Sequence, residues 1–458
     1  MVRIRFLIAL WLAKLSIIAL KITKHNGTHY PGKLAIRICP EFLKYVGKPK
    51  RTVAVTGTNG KTTVTNMICD ILELSGLRVL SNRTGSNINS GVATSLLAAC
   101  SIFNRPRHDI AVLEIDERSS LRIYPYVKPD IVVVTNLFRD SIMRNAHPQY
   151  IADFLTRSIP AGTQLLLNAD DLIAGSVAPA NARKYFGIEK MPSDLTECHN
   201  LINDIRVCPR CSGELRYEYL RYHHIGKAFC ADCGFHSPDY DYTASDVDTE
   251  KMTMTVSDSG GSREYKLLSD SIFNIYNMVT VIALLRELGM SHEEIGGYME
   301  RVGIVSTRYQ VEQVGDVRLV MQMAKEKNAL ACSRAFDYVS SQQGEKELFL
   351  MMNCLGDVTH WSENVSWLYD CDFEFLNKDD ITHIVATGAR AKDYRLRLLL
   401  AGVPDEKIDC IRDEFEATEH LRFTPGQSVY MFYGTDSLAL AFRVREKVVK
   451  LAKEAAGK

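Results

Sequence analysis

From position 51 onward the chain alternates short apolar runs with stretches of helical period. Apolar, β-rich runs fall at 52–56, 110–115, 131–135 and 164–167, each followed by turn residues and then a helical segment. Runs with so little polar alternation belong to strands buried on both faces of a parallel sheet. A more polar stretch at about 207–241 interrupts the pattern in the way an insertion does. An amphipathic helix is predicted over 270–288, stopped by Gly289, and a shorter one over 291–301. Strand-like runs return at 317–323, 348–353, 383–387 and 429–433, with helices between them. The expectation is an α/β chain: a lead-in over 1–50, a central domain over 51–304 with an insertion at about 205–241, and a second α/β domain over 305–458.

The lead-in opens with an apolar run at 6–20, interrupted by Lys14 and flanked by Arg3, Arg5, Lys21 and Lys24. The run falls short of the roughly 20 residues that span a bilayer, and no small-residue cleavage site follows it. Two readings stand: a helix packed on the first domain, or an interfacial helix whose basic flanks meet anionic headgroups at the inner face of the cell membrane. A length of 458 residues calls for two or three domains. Fifty-five basic residues cancel fifty-five acidic ones, which removes the usual electrostatic ground for a nucleic-acid partner.

Of twelve cysteines, eight (Cys39, Cys69, Cys100, Cys198, Cys332, Cys354, Cys371, Cys410) are scattered, mostly in apolar runs, and read as buried reduced thiols in a cytoplasmic protein. The other four, Cys208, Cys211, Cys230 and Cys233, form C-x2-C-x18-C-x2-C, a zinc-ribbon spacing. Four thiolates close a tetrahedral Zn²⁺ shell and leave no open position, so the predicted role is structural. His223, His224 and His236 lie nearby but the shell is complete without them.

The strongest chemical signal runs from Val53 to Thr63: a strand, the glycine-rich turn Gly57-Thr58-Asn59-Gly60, then Lys61, Thr62 and Thr63 opening a helix. Glycines allow the tight path, exposed N–H groups cradle phosphate oxygens, and the helix dipole adds positive potential. Lys61 can bridge the β- and γ-phosphates of ATP, and the Thr62 hydroxyl is placed for Mg²⁺. The general phosphate-loop pattern wants glycine at 55, where this chain has Val55. T-G-T-N-G-K-T is the form that resembles the Mur ligases, which activate a carboxylate as an acyl phosphate. Asn82, Gly85 and Asn87 resemble their N-x-x-G-x-N loop, Glu114 their acidic strand end, and Asn136–Asp140 and Asn168–Asp171 two later motifs. The resemblance implies Mg²⁺ on Thr62, Thr84 and Glu114, the adenine on Asn274 and a further nucleotide contact at Arg308.

A four-Cys ribbon in the central domain is similar to the MurT branch of that family, as are the stretches 31–33, 135–140 and 365–374. The implied fold is a Mur-type ATP-binding domain with an inserted ribbon and a Rossmann-like C-terminal domain. The implied activity is ATP-dependent amidation of the D-glutamate α-carboxylate of lipid II, with ammonia from a GatD-like glutamine amidotransferase subunit. Lys61 and Glu114 would serve the carboxylate activation. The chain offers no nucleophilic cysteine elbow of its own; Cys354 and Cys371 are the nearest candidates. Two departures stand out: Ser141 follows Asp140, and Asn364 occupies the place where the branch carries an aspartate for the partner's catalytic His. Asp370, Asp372 and Asp357 remain as donors of that carboxylate. Two other readings stay open: a stand-alone ligase joining an amino acid to a UDP-linked or folate-like acceptor, and a non-enzymatic zinc- and nucleotide-binding scaffold.

Overall fold

The computed structural model describes residues 2–25, 27–83, 86–139, 147–302, 309–324, 328–352, 365–434 and 437–457. They form two compact units. The first holds Met1–Phe138, His147–His199 and Asn203–Ile304; the second holds Val305–Lys458 with Asn200–Ile202 and the short segment that begins at Arg139.

In the first unit, helices α1 (Val2–Ile22), α2 (Tyr30–Ile38) and α3 (Phe42–Tyr45) precede strand β1 (Arg51–Thr56). Then come α4 (Lys61–Leu74), β2 (Val79–Ser81), α5 (Asn89–Ala99), β3 (Ile110–Glu114), α6 (Ser120–Val127) and β4 (Ile131–Val134). The alternation continues through α7 (Pro148–Ser158), β5 (Gln164–Asn168), α8 (Leu172–Gly175) and β6 (Arg183–Ile188). These six strands are parallel, and β4 (Ile-Val-Val-Val) is buried throughout, as a strand covered on both faces must be. Proline near the start of α2 and α7 sits where a helix has no N–H partner to lose.

After β6 the chain makes a separate hairpin, β7 (Arg216–Tyr222) and β8 (Ile225–Phe229), and returns to the sheet. There β9 (Tyr242–Asp248) pairs with β6 in parallel, and β10 (Thr253–Asp258) and β11 (Gly261–Lys266) extend the edge antiparallel. The order is β11-β10-β9-β6-β5-β4-β1-β3-β2. Helix α9 (Ile272–Glu287) is buried along most of its length, and a Ser291–Glu294 capping box starts α10 (His292–Met299). The lead-in is no separate body. Phe6, Leu10, Ala35 and Phe42 join the same core as β1, β3 and β4. Among the described residues no helix is long and apolar enough to cross a membrane.

The second unit is built on a six-stranded sheet in the order β12-β13-β17-β14-β15-β16. Its elements are β12 (Tyr309–Val314), β13 (Val317–Met323), α11 (Ala329–Ser341), β14 (Lys346–Met351), β15 (Ile381–Thr387), α12 (Ala391–Leu400), β16 (Ile408–Ile411), β17 (Ser428–Tyr433) and α13 (Leu438–Ala456). Only β12 runs antiparallel to its neighbour. Apolar clusters cover both faces, one around Phe336, Phe373 and Phe432, the other around Phe349, Met431 and Val444. Both sheets are of the expected α/β class.

Candidate active site

Strand β1 lies between β3 and β4, so the loops after all three collect outside their carboxyl ends, where open α/β sheets bind ligands. The turn 57–60 leaves β1 there. Gly57 (φ +128°) and Gly60 (φ +85°) hold backbone angles that L side chains rarely adopt, and each also leaves no room for a Cβ. At Gly57 it would strike Thr135 and Asn136; at Gly60 it would strike Asn277. Gly60 is the cap of α4, whose first turn carries Lys61, Thr62 and Thr63 with their N–H groups free of intrahelical partners.

The segment after β4 pins this turn. Thr58 N donates to Asn136 O (2.8 Å), Asn59 N to Asn136 Oδ1 (3.0 Å), and Thr135 Oγ1 to Asn59 O (2.7 Å). The Thr58 hydroxyl accepts from Phe138 N (2.9 Å) and donates to Phe138 O (3.1 Å). Lys61 Nζ folds back onto Gly57 O and pairs with Glu117 Oε1 at 2.8 Å. Burial opposes its charge, yet Glu117, with Glu114 and Asp116 behind it, holds the ammonium pKa above its ordinary value.

Glu114 ends β3 beside the turn. Asn82 brackets its backbone, accepting from Glu114 N (2.8 Å) and donating to Glu114 O (2.8 Å). Asn87 Nδ2 donates to Glu114 Oε1 (3.1 Å). The two asparagines of the 82–87 loop therefore hold Glu114 in place at the strand end, and a carboxylate oxygen is a donor that suits Mg²⁺. Thr62 is exposed at the helix start. Thr84 and Arg308 lie outside the described residues. Asn274 sits on α9 one turn before Asn277, to which its side-chain oxygen is bonded (3.4 Å).

A buried polar network stands behind the turn. Asp171, fully buried, accepts from Leu137 N (2.6 Å), Ile173 N (2.9 Å) and Ala174 N (3.0 Å). Asp170 accepts from Tyr240 (2.5 Å) and Tyr276 (2.5 Å) and pairs with Arg221 at 3.0 Å. These partners come from 51 to 106 positions away, so sequence reading found the acidic pair and missed Arg221, Tyr240 and Tyr276. Asn277 was missed too, and Glu117 was read only as part of the acidic strand end, without its bond to Lys61. Only the Glu114-Ile-Asp-Glu117 run and the Asn274–Asn277 spacing hinted at them.

The β7–β8 hairpin carries the four-Cys cluster. It brings the Cys208–Cys211 and Cys230–Cys233 knuckles face to face, with all four Sγ atoms within 4.8 Å of one another. Cys208–Cys233 and Cys211–Cys230 are each 3.6 Å apart. A tetrahedral Zn²⁺ with Zn–S of about 2.3 Å requires S···S of roughly 3.8 Å, so the cluster fits a metal of that size. Arg210 N and Gly213 N each donate to a thiol sulfur at 3.4 Å, as a thiolate shell needs. At the hairpin turn His224 is buried, its Nε2 3.3 Å from Asp171 Oδ1 and its ring 4.6 Å from that of Phe138. His224 thus abuts the residues that pin the phosphate turn.

In the second unit the two remaining carboxylates differ. Asp372 is buried and committed: its oxygens accept from Leu201 N (2.6 Å) and Asn200 Nδ2 (3.1 Å), and burial raises its pKa above the usual carboxylate value. Asp370 keeps a quarter of its side chain exposed and meets Arg139 at 3.4 Å. Cys371 is buried in the core, away from the role of a nucleophile. Cys39, Cys69, Cys100 and Cys332 are buried thiols as well, and Cys198 and Cys410 are half-buried. Ser141, Cys354, Asp357 and Asn364 lie outside the described residues.

The sheet order, phosphate turn and acidic strand end together define the class as Mur-type ligases, which use ATP and Mg²⁺. Residues 55–195 match the Mur ligase middle domain and 326–435 the MurT ligase C-terminal domain. The chain is similar to the MurT subunit of the glutamine-hydrolyzing lipid II isoglutaminyl synthase of Streptococcus pneumoniae, with 33% identity over 84% of either chain. The Staphylococcus aureus subunit of the same name is 30% identical over 90% of this chain and 91% of its own. Among solved structures, a pseudomurein peptide ligase type C from Methanothermus fervidus shares the fold (TM-score 0.67, 21% identity, 89% of this chain, 80% of that one). So does MurF from Acinetobacter baumannii (TM-score 0.61, 18% identity, 93% and 81%). Within the Mur ligases, this chain belongs to the MurT family.

Proposed function

We propose that this chain is the ATP-using subunit of a cytoplasmic lipid II isoglutaminyl synthase. It activates the α-carboxylate of the D-glutamate in lipid II, and ammonia from a GatD-like glutamine amidotransferase subunit converts it to D-isoglutamine. The observation that carries the reading is similarity to MurT subunits along nearly the whole chain, joined to a phosphate turn that faces a fixed carboxylate. In the first step a carboxylate oxygen bonds to the γ-phosphorus of ATP, the bond to the β-phosphate oxygen breaks, and ADP leaves. In the second, ammonia adds to the acyl carbon, loses a proton, and phosphate departs.

Catalysis of such a transfer is positioning and charge neutralisation. The N–H groups at the start of α4 and the Lys61 ammonium are read as holding the β- and γ-phosphates. Glu117 keeps that ammonium charged and folded against the turn until nucleotide draws it outward. Mg²⁺ would be held by Thr62, Thr84 and Glu114 and would neutralise charge on the transferring phosphoryl group. Asn274 and Arg308 are assigned to the nucleotide. Cys208, Cys211, Cys230 and Cys233 are assigned a structural Zn²⁺. Residues 51–304 are read as the ATP-binding domain and 305–458 as the MurT-type domain. For the carboxylate offered to the partner's His, Asp370 is favoured over Asp372, because the buried Asp372 already serves two donors of its own unit.

The test is isotopic. With ¹⁸O in the glutamate α-carboxylate, ammonia and ATP, the reading expects one label in each phosphate released. Label that never reaches phosphate would rule out an acyl phosphate. Turnover with an amino acid in place of ammonia would support a stand-alone ligase instead.

A further inference from the structure

Helix α1 is apolar on two faces, and only one of them enters the core. Phe6, Ala9, Leu10 and Ala13 are buried. Ile4, Ile8, Trp11, Leu15, Ile18 and Ile22, spaced by threes and fours, form one outward line along the helix, with Leu15 60% and Ile22 76% exposed. The line continues onto a loop tip: Trp11 Nε1 donates to Ile102 O (3.2 Å), and the neighbouring Phe103 is 77% exposed. An exposed apolar patch of this extent marks a docking surface.

The one charge in the middle of the helix is withdrawn from that line. Lys14 Nζ turns inward onto Leu97 O (2.8 Å) and Cys100 O (2.7 Å), at the carboxyl end of α5. The charges that remain outward sit at the rim. Arg3 and Arg5 are exposed at one end of α1, Lys21 and Lys24 at the other, and Arg105 and Arg107 beside Phe103. The first forty residues hold seven Lys and Arg and no Asp or Glu. Two copies meeting along this line would set cations against cations. A surface of anionic headgroups over acyl chains complements both the line and the rim.

We propose that α1 and the 102–103 tip form an interfacial docking surface that lays the first unit on an anionic lipid bilayer. The helix lies in the interface, and the cations contact the headgroups. The proposal is independent of the reaction proposed above, since it needs lipid surface and no substrate.

The experiment is flotation of the full chain with vesicles of phosphatidylglycerol in phosphatidylcholine, and with phosphatidylcholine alone, both free of lipid II. Binding is expected to favour the anionic vesicles and to weaken with salt. Leu15→Glu with Ile18→Glu should lower it at least tenfold, and Phe103→Ser on the separate loop should lower it also. Lys21→Gln and Lys24→Gln should each cost about fivefold on anionic vesicles and nothing on neutral ones. All these positions are exposed, and unchanged melting of each variant checks that the fold is kept. Wild-type chain that fails to float would overturn the proposal, as would Leu15→Glu/Ile18→Glu that floats like wild type. So would a wild-type dimer that the same double variant dissolves, since that assigns the face to a second copy.

Discussion

Replacing Asp171 by alanine tests how the phosphate turn is supported. Asp171 is fully buried and accepts three backbone N–H groups: Leu137 at 2.6 Å, and Ile173 and Ala174 at 2.9 and 3.0 Å. Losing the helix cap of α8 costs about 1 kcal/mol. Losing the charge-assisted bond to Leu137, and leaving that N–H buried without a partner, costs about 2 kcal/mol more. A total of about 3 kcal/mol lowers the melting temperature of a unit of roughly 290 residues by about 5 °C. The perturbation does not stop there. Leu137 leads into Phe138, whose N–H and C=O both engage the Thr58 hydroxyl, so the turn loosens with its support. The KM for ATP should rise several-fold while the KM for the acceptor changes little. Asp171→Asn, with one acceptor oxygen instead of two, should fall between wild type and alanine. Thermal melting and initial rates at varied ATP are the assays. If Asp171→Ala melts within about 2 °C of wild type and keeps its ATP affinity, the support does not run through residues 137–138.

Lys61→Ala should abolish ADP release, and it should also lower stability by about 2 kcal/mol, because it strands the buried Glu117 carboxylate. Lys61→Ala with Glu117→Gln should regain the melting temperature without regaining turnover, which calorimetry and ADP assay together resolve. Elemental analysis should find one zinc per chain, and Cys230→Ser should lose it and melt earlier; freshly purified protein without zinc would contradict the ribbon assignment. In the complex with its glutaminase subunit, Asp370→Asn should depress glutamine-dependent turnover by up to about 10⁴-fold and spare the ammonia-dependent reaction. Asp372→Asn should instead weaken the second unit's melting, since it disturbs the bonds to Leu201 and Asn200.

What could be read from the sequence was local. Strand, glycine turn and helix succeed one another within 53–63, and the two cysteine pairs carry their own spacing, so both were visible without any tertiary information. The ion pair of Lys61 with Glu117 was not, because it joins positions 56 apart. It also ties the phosphate ligand to the fold. As a phosphate ligand alone, Lys61 could be removed at no cost to the fold; as the partner of a buried carboxylate it cannot. The strands β9–β11 escaped notice since their burial pattern is broken by polar residues. Lys14 looked like an interruption of an apolar run, and only the carbonyls of α5 explain where its charge goes. Asp370 and Asp372 looked alike in sequence and were separated by the partners that Asn200–Leu201 and Arg139 supply from far upstream.

The central claim is that this chain activates the carboxylate and leaves ammonia production to a partner. The most direct measurement is amidation of lipid II by the isolated chain with ATP, comparing ammonium with glutamine as nitrogen source. The account predicts D-isoglutamine, ADP and phosphate in equal amounts from ammonium, no product from glutamine alone, and glutamine-dependent product once a GatD-like subunit is added. Amidation from glutamine by the isolated chain, or no product from ammonium under any condition in which ATP binds, would contradict it.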